Sequence, residues 1–223
     1  TKLIEQLDQS VINTEHEWVE SYWKACYALI TRTNNVLASV QVVKTEANKK
    51  MYEGEARFLR ALEYFNLVRL WGPVFIVTSK TPSDVARNMQ RSSVSDVYAL
   101  IEGDLETIVD QQLLPAKQPD ALLGRADMNA AKALLAKVYA THYAVGDEKY
   151  QQALNLCKDV LGSETVGNPQ TAADLVPYAS VFDINNEMNK EIHFWFSSRR
   201  LGRFLENIRK RMKTISTQSS ASQ

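Results

Sequence analysis

The stretch EARFLRALEYFNLVRLWGPVFIVT, residues 55–78, limits what this chain can fold into more than any other. As far as Trp71 its pattern is helical, and the polar positions Arg57, Arg60, Glu63, Asn66 and Arg69 come every three residues. At about 100° per residue, a step of three falls about 60° short of a turn, so the polar line winds round the cylinder. Phe58, Leu59, Leu62, Tyr64, Phe65, Leu67, Val68, Leu70 and Trp71 fill the remaining directions. A helix apolar on most sides is buried on most sides. Its charges interrupt it too often for a membrane span, which needs roughly 18 apolar residues in a row. The pattern therefore predicts the central helix of an all-helical body, its arginines and glutamate paired or reaching solvent along their stems. Glu53 and Arg57 form a well-oriented i,i+4 pair near its start. Gly72-Pro73 ends it, glycine supplying a left-handed cap and proline unable to continue the ladder. The PVFIVT that follows is short, apolar and β-branched, which predicts an extended segment.

Helical periodicity dominates the flanks. A short helix is expected over residues 2–12. A longer one is expected over about 15–43, where Val19, Tyr22, Cys26, Leu29, Ile30, Thr33, Leu37 and Val40 recur at helical spacing. Residues 43–50 read as a polar linker, and TPSDVARNMQRSS as a polar loop. Ser93-Val94-Ser95-Asp96 is an N-cap region for a helix carrying Val97, Leu100, Ile101, Leu105 and Ile108, closed by Pro115 and Pro119. The segment GRADMNAAKALLAKVYATHYAVGDEKYQQALNLCKDVLG predicts two helices joined at Gly146-Asp147. The first packs on Ala130, Ala133, Ala140 and Ala144, the second on Tyr150, Ala153, Leu156, Cys157 and Leu161. Small residues let antiparallel helices approach closely, and this hairpin is similar to a tetratricopeptide repeat with about one residue inserted in its first helix. Further on, 175–182 reads as a short helix or turn and 192–196 as an apolar run of strand length. Leu201, Leu205, Ile208 and Met212 line one face of a basic terminal helix, and the tail after Ser216 is expected to be mobile. The fold class expected is all-α, a tetratricopeptide-like helical-repeat bundle with short irregular and extended segments.

With 223 residues the chain can bury a core as one large domain or two small ones. Its 26 lysines and arginines balance 26 aspartates and glutamates, so net charge gives no reason to expect nucleic acid or an acidic membrane surface as a partner. Cys26 and Cys157 lie far apart within helical patterns, outside any CxxC or zinc spacing. They read as small buried hydrophobes, with a disulfide as the alternative. The opening TKLIEQLDQS has neither a basic-then-apolar signal nor a lipid-modified cysteine site, so an exported protein would carry those upstream.

No catalytic constellation is apparent. His16, His142 and His193 are scattered, without an HExxH or comparable metal spacing. Phosphate-binding loops, nucleophile elbows and dinucleotide fingerprints are missing. Acid pairs such as Asp104 with Glu106 read as solvated helix surface. The run Arg199, Arg200, Arg203, Arg209, Lys210, Arg211 and Lys213 has a rival reading as a grip on phosphates or anionic lipid, but it reads first as a solvated helix. No catalytic residue, metal or cofactor is therefore expected. The tryptophans Trp18, Trp23, Trp71 and Trp195 stand at or near ends of apolar segments. Trp23 and Trp71 are assigned to the core. Trp18, flanked by Glu15, Glu17 and Glu20, is the least committed to packing and is the candidate ligand contact, since a rim tryptophan can stack on the apolar face of a sugar ring.

The order of motifs is more specific than any one of them. Trp23-x3-Tyr27-x2-Ile30-x3-Asn34 precedes EARFLRALEYFNLVRLWG. DVYALIEGDLETI with LLP follows, then GRADMNAAKALLAKVYA, then Asn189-Lys190-Glu191-Ile192-His193-Phe194. From about Trp18 to Phe196 this series resembles the SusD/RagB family of outer-membrane nutrient-binding lipoproteins. The resemblance implies a helical body of tetratricopeptide-like pairs at residues 1–198, incomplete relative to the family, with 199–223 a basic, partly mobile C-terminal segment. It further implies a non-enzymatic, surface-exposed lipoprotein over a TonB-dependent transporter of the SusC type. Such a pair captures oligosaccharides, or peptides in some members, and passes them through the outer membrane. The Ala-rich hairpin alone supports a different class, an interaction scaffold of the tetratricopeptide type that recognises peptide segments. Two departures stand out. Gly72-Pro73-Val74-Phe75 replaces the family's Gly-x-Val-Pro, and members are considerably longer, so the lipid-bearing N-terminus and most of the C-terminal half are expected to lie outside this sequence.

Overall fold

The computed structural model describes residues 16–81, 83–119, 122, 124–161, 192–193 and 196–197. The chain divides into two compact units, Thr1–Ile101 and Glu102–Gln223. The helix expected over 2–12, the short helix or turn over 175–182 and the helix beyond Arg199 lie outside the described residues.

In the first unit, α1 (Glu17–Ser39) and α2 (Glu46–Trp71) are joined by a 3-10 turn, Val40–Val42. Tyr22 meets Trp71 and Asn34 meets Arg60, so the two helices run antiparallel. Glu17 and Glu20 sit in the first turn of α1, where negative charge suits the helix dipole. Its buried residues Cys26, Ile30, Thr33 and Asn34 are spaced to make one stripe. The helix α2 begins five residues earlier than the polar linker predicted, because Glu46-Ala-Asn-Lys-Lys are mostly good helix formers and Glu46 favours the first turn.

Buried positions cover about 200° of the circumference of α2, counting about 100° per residue. Phe58 and Leu67 are 0% exposed and Phe65 is 1% exposed, so the helix is interior where the pattern demanded it. Leu70 corrects the pattern: it is 63% exposed, on the side facing away from that buried arc, with Tyr52 also exposed. The winding polar line is absorbed in three ways. Arg57 bonds Glu53 at 2.9 Å. Arg60, buried, donates to Asn34 Oδ1 at 2.8 Å. Arg69 folds back on its own helix, donating to the Phe65 carbonyl at 3.0 Å and to Asn66 Oδ1 at 2.7 Å. Gly72 closes α2 with φ 67° and its N–H on the Val68 carbonyl at 3.0 Å. A positive φ is what glycine is for. The ψ of −122° is not that of the expected left-handed cap, because the chain turns at once into the extended segment.

That segment pairs by a single antiparallel bridge, Val74 with Ser92. The polar loop after it contains a short helix, α3 (Ser83–Arg87), where none was expected. Next, α4 (Val94–Asp110) starts with a reciprocal cap: Ser93 Oγ accepts from the Asp96 amide at 3.1 Å and Asp96 Oδ2 accepts from the Ser93 amide at 3.3 Å. Its Val94–Ile101 portion closes the first unit, with Val97 and Ile101 fully buried.

The second unit continues α4 from Glu102 and adds α5 (Met128–His142) and α6 (Glu148–Leu161). Asp127 caps α5, its Oδ1 accepting from the Ala130 amide at 2.8 Å. Ala130, Ala131, Ala133 and Ala136 are buried, which lets neighbours approach the backbone closely. Ala144, expected on the packing face, is exposed in the connection, because α5 ends at His142. The joint falls at Gly146-Asp147 as expected, Gly146 taking φ 102°. Tyr150, Ala153 and Cys157 carry the buried face of α6. The apolar run at 192–196 contributes two short strands in place of one, β1 (Ile192–His193) antiparallel to β2 (Phe196–Ser197). The architecture is all-α. Cys26 and Cys157 are free and buried, which removes the disulfide alternative. Burial pushes both thiols up to about 12, so neither is a thiolate at neutral pH. Among the described residues, no helix is long and apolar enough to cross a membrane, and no cluster of three histidine, cysteine or acidic side chains offers a metal site.

Candidate functional site

Where the start of α1 meets the end of α2, five aromatic side chains of the first unit gather. Trp23 stands edge-on to Trp71 at 5.1 Å, tilts against Tyr27 at 4.9 Å and meets the edge of Phe75 at 6.4 Å. Tyr22 stacks on Trp71 at 6.1 Å and 22°. Each such pair contributes about 0.5–1.5 kcal/mol beyond its burial. Trp23 and Trp71, assigned to the core by sequence, are half-buried members of this cluster. Trp18 is 45% exposed, edge-on to His16 at 6.2 Å, and Tyr22 is 42% exposed. One helical turn separates Trp18 from Tyr22, so both rings lie on one face of α1 and present apolar surface with a polar edge. Burial, followed by Cys26 and Glu63, raises the Tyr22 phenol, which keeps its hydroxyl protonated and able to donate. Trp195 lies outside the described residues.

Behind the rings, two tyrosines hold the extended segment. The Tyr27 hydroxyl accepts from the Phe75 amide at 3.0 Å and donates to the Phe75 carbonyl at 2.9 Å. Tyr64 treats Val77 identically, at 2.7 Å and 3.1 Å. Residues 75 and 77 turn their backbone polar groups to one edge of an extended chain, Val74 to the other, where Ser92 takes it. Asn34 Nδ2 adds a bond to the Val77 carbonyl at 2.7 Å. Phenols and an amide thus replace a missing partner strand and fix Phe75 against Trp23. Burial, then the neighbouring Tyr64, holds the Tyr27 phenol well above the ordinary tyrosine range. Sequence reasoning quoted Tyr27 and Asn34 as a motif without finding this role. The available signal was their placement at helical spacing on α1 opposite an extended segment with no partner strand.

In the second unit, the end of α4 with α5 and α6 borders a groove of about 460 Å³. One wall is a closed triad. Lys149 Nζ donates to Glu106 Oε1 and, at 3.0 Å, to the Tyr139 hydroxyl, which in turn donates to Glu106 at 2.5 Å. The Lys149 ammonium also lies 4.7 Å from the centre of the Tyr139 ring. Burial pushes the Glu106 carboxyl up, but hydrogen bonds from Lys149 and Tyr139 outweigh it and hold the group below its usual range. Burial works against the charge on Lys149, and the bonds to Glu106 and Tyr139 overcome it, raising the ammonium. The reading of Asp104 and Glu106 as solvated is therefore corrected: Asp104 is 2% exposed and Glu106 is tied into the triad. His142 has a structural contact, its Nδ1 2.8 Å from Glu102 Oε1, while the Tyr143 hydroxyl donates to Glu102 Oε2 at 2.9 Å.

A family model described as starch-binding and associating with the outer membrane matches residues 3–140. A SusD-like protein of Bacteroides ovatus is 32% identical over 178 residues, 76% of this chain and 31% of its own. A structure described as a laminarin-binding SusD-like protein superposes with a TM-score of 0.68 at 32% identity, covering 78% of this chain and 36% of that one. Another, solved with a xylogluco-oligosaccharide, gives a TM-score of 0.65 at 28% identity, covering 81% and 35%. The chain thus spans about a third of the length of the relatives it matches. Its matched residues carry the central helix, the aromatic cluster and the start of the α5/α6 hairpin, and the chain belongs to the SusD-like family.

Proposed function

We propose that the protein binds oligosaccharide nutrients at the cell surface and delivers them to a TonB-dependent outer-membrane transporter of the SusC type, a lipid anchor holding it at the membrane. It is a binding protein and turns nothing over. Trp18 is the proposed ligand contact, with Tyr22 beside it. The observation carrying this reading is the 32% identity and TM-score of 0.68 to a SusD-like protein described as binding laminarin. The chemistry of the aromatic face supports it. An exposed indole offers a flat apolar surface to the C–H face of a sugar, and the phenol beside it offers a hydroxyl for the sugar's own.

The test is calorimetric titration with laminari- and xylogluco-oligosaccharides, together with fractionation of the cells that make the protein. Binding of at least one glycan and recovery with the outer membrane, in complex with a large β-barrel transporter, is the expected result. Silence toward every glycan, or recovery in the cytosol with affinity for peptides alone, would replace this reading with that of a peptide-binding scaffold.

A further inference from the structure

We propose that the groove bordered by α4, α5 and α6 in the second unit is an additional oligosaccharide-binding site, taking a short neutral glycan segment; this rests on the glycan-binding function proposed above. Its volume of about 460 Å³ lies within the usual range for small-ligand sites, about 300–1,000 Å³. Val109 and Leu156 supply apolar lining for the C–H faces of sugar rings. The polar lining is made of planar groups. Gln152, Asn155 and Asp159 follow Lys149 along α6 at steps of three and four, so they share one face, while Asp110 projects from the end of α4. Carboxylates accept and amides both donate and accept, which matches hydroxyls that do both.

Charge pairing selects the ligand class. Glu106 is neutralised by Lys149 inside the triad, and Asp159, a surface carboxylate, is paired with Lys132 at 3.1 Å. Asp110 remains the one carboxylate of the lining without a lysine partner among the described residues. With its cation already engaged, the groove gives an anionic ligand no counter-charge. With two of its three carboxylates paired, it gives a basic peptide little. A neutral polyhydroxylated ligand needs neither. The triad also fixes one wall in advance, which lowers the ordering cost of binding.

The side chains to alter are Gln152 and Asn155, which lie on the open face of α6 and leave its buried face intact. In titrations of the Trp18→Ala chain with laminari- and xylogluco-oligosaccharides, adding Gln152→Ala and Asn155→Ala is expected to weaken the residual binding about tenfold, the loss of two hydrogen bonds. In the unaltered chain, backbone amide resonances of residues 149–159 are expected to shift when the same glycan is added, a readout that needs no variant to fold. Glycan binding that leaves those resonances still and ignores both substitutions overturns this inference while the proposed function stands. Shifts produced by a lysine-rich peptide and not by glycan overturn it in favour of a peptide groove. A chain that binds no glycan at all overturns both.

Discussion

The hydroxyl of Tyr27 takes both backbone polar groups of Phe75, 48 residues further on, in a pair of bonds of 3.0 and 2.9 Å. A phenol does there what a neighbouring strand does in a sheet, on an edge of the segment that no strand pairs among the described residues. Tyr27→Phe keeps the ring against Trp23 and deletes only the hydroxyl, leaving a part-buried N–H and C=O without their partner. The expected cost is about 1–3 kcal/mol. Urea denaturation should show a lower midpoint at an unchanged slope. Tyr64→Phe, acting on Val77, should behave alike. Because both hold one short segment, the double variant should lose less than the two single losses added together.

The triad of Glu106, Lys149 and Tyr139 makes stability depend on pH in a defined direction. Glu106 has a folded-state pKa below its unfolded value, so its contribution is present above the ordinary glutamate range and is lost as pH falls through the folded value. Lys149 has a raised folded value, so its contribution is present below the ordinary lysine range and is lost as pH rises through the folded value. The pair is complete between these limits, from about pH 5 to about pH 10. Melting temperatures of the native chain and of Glu106→Gln should therefore differ most within that window and converge as the solution is acidified below it. Equal differences at pH 7 and pH 3 would show that the carboxylate charge is not what the triad uses.

For Trp18 the expectation separates binding from folding. The ring is 45% exposed, so Trp18→Ala removes little of the core and should change unfolding free energy by less than about 1 kcal/mol. If it stacks on a sugar, the same substitution should weaken glycan affinity about tenfold, the order of one aromatic contact. Calorimetry on the variant, with its melting curve as control, reads both quantities.

How far the sequence announced these features follows from how local each signal is. Burial of Phe58, Phe65 and Leu67 was legible because helical periodicity is a property of neighbours within a few residues. The same periodicity misplaced Leu70, since a pattern says which residues are apolar and not how far around the helix partners extend. The cap at Ser93–Asp96 and the joint at Gly146 were legible for the same local reason. The tyrosine clamps and the Glu106–Lys149 contact join residues 13 to 48 positions apart, so no window of the sequence contains them. Glu106 reads as solvated surface because an acid's partner 43 residues away is invisible from its neighbours. In the aromatic cluster, the sequence assigns Trp23 and Trp71 to the core without pairing them, whereas the α1/α2 pairing is what brings Tyr22, Trp23, Trp71 and Phe75 together.

Asn34 links two of these long-range features, accepting from Arg60 at 2.8 Å and donating to the Val77 carbonyl at 2.7 Å. Both Asn34 and Arg60 are buried, at 4% and 6% exposure. Asn34→Ala takes a neutral partner from a buried guanidinium and from a carbonyl, and is expected to cost about 2–4 kcal/mol. Arg60→Met removes the charge along with its need for partners and keeps most of the stem's packing, so its cost should be smaller. If the asparagine's main role is to satisfy the arginine, adding Arg60→Met to Asn34→Ala should recover part of the loss, with a coupling of about 1 kcal/mol or more in a double-mutant cycle. If instead the Val77 bond dominates, the two costs should simply add, and Asn34→Ala should resemble Tyr64→Phe in its effect on the extended segment. Urea titrations of the four chains distinguish these outcomes.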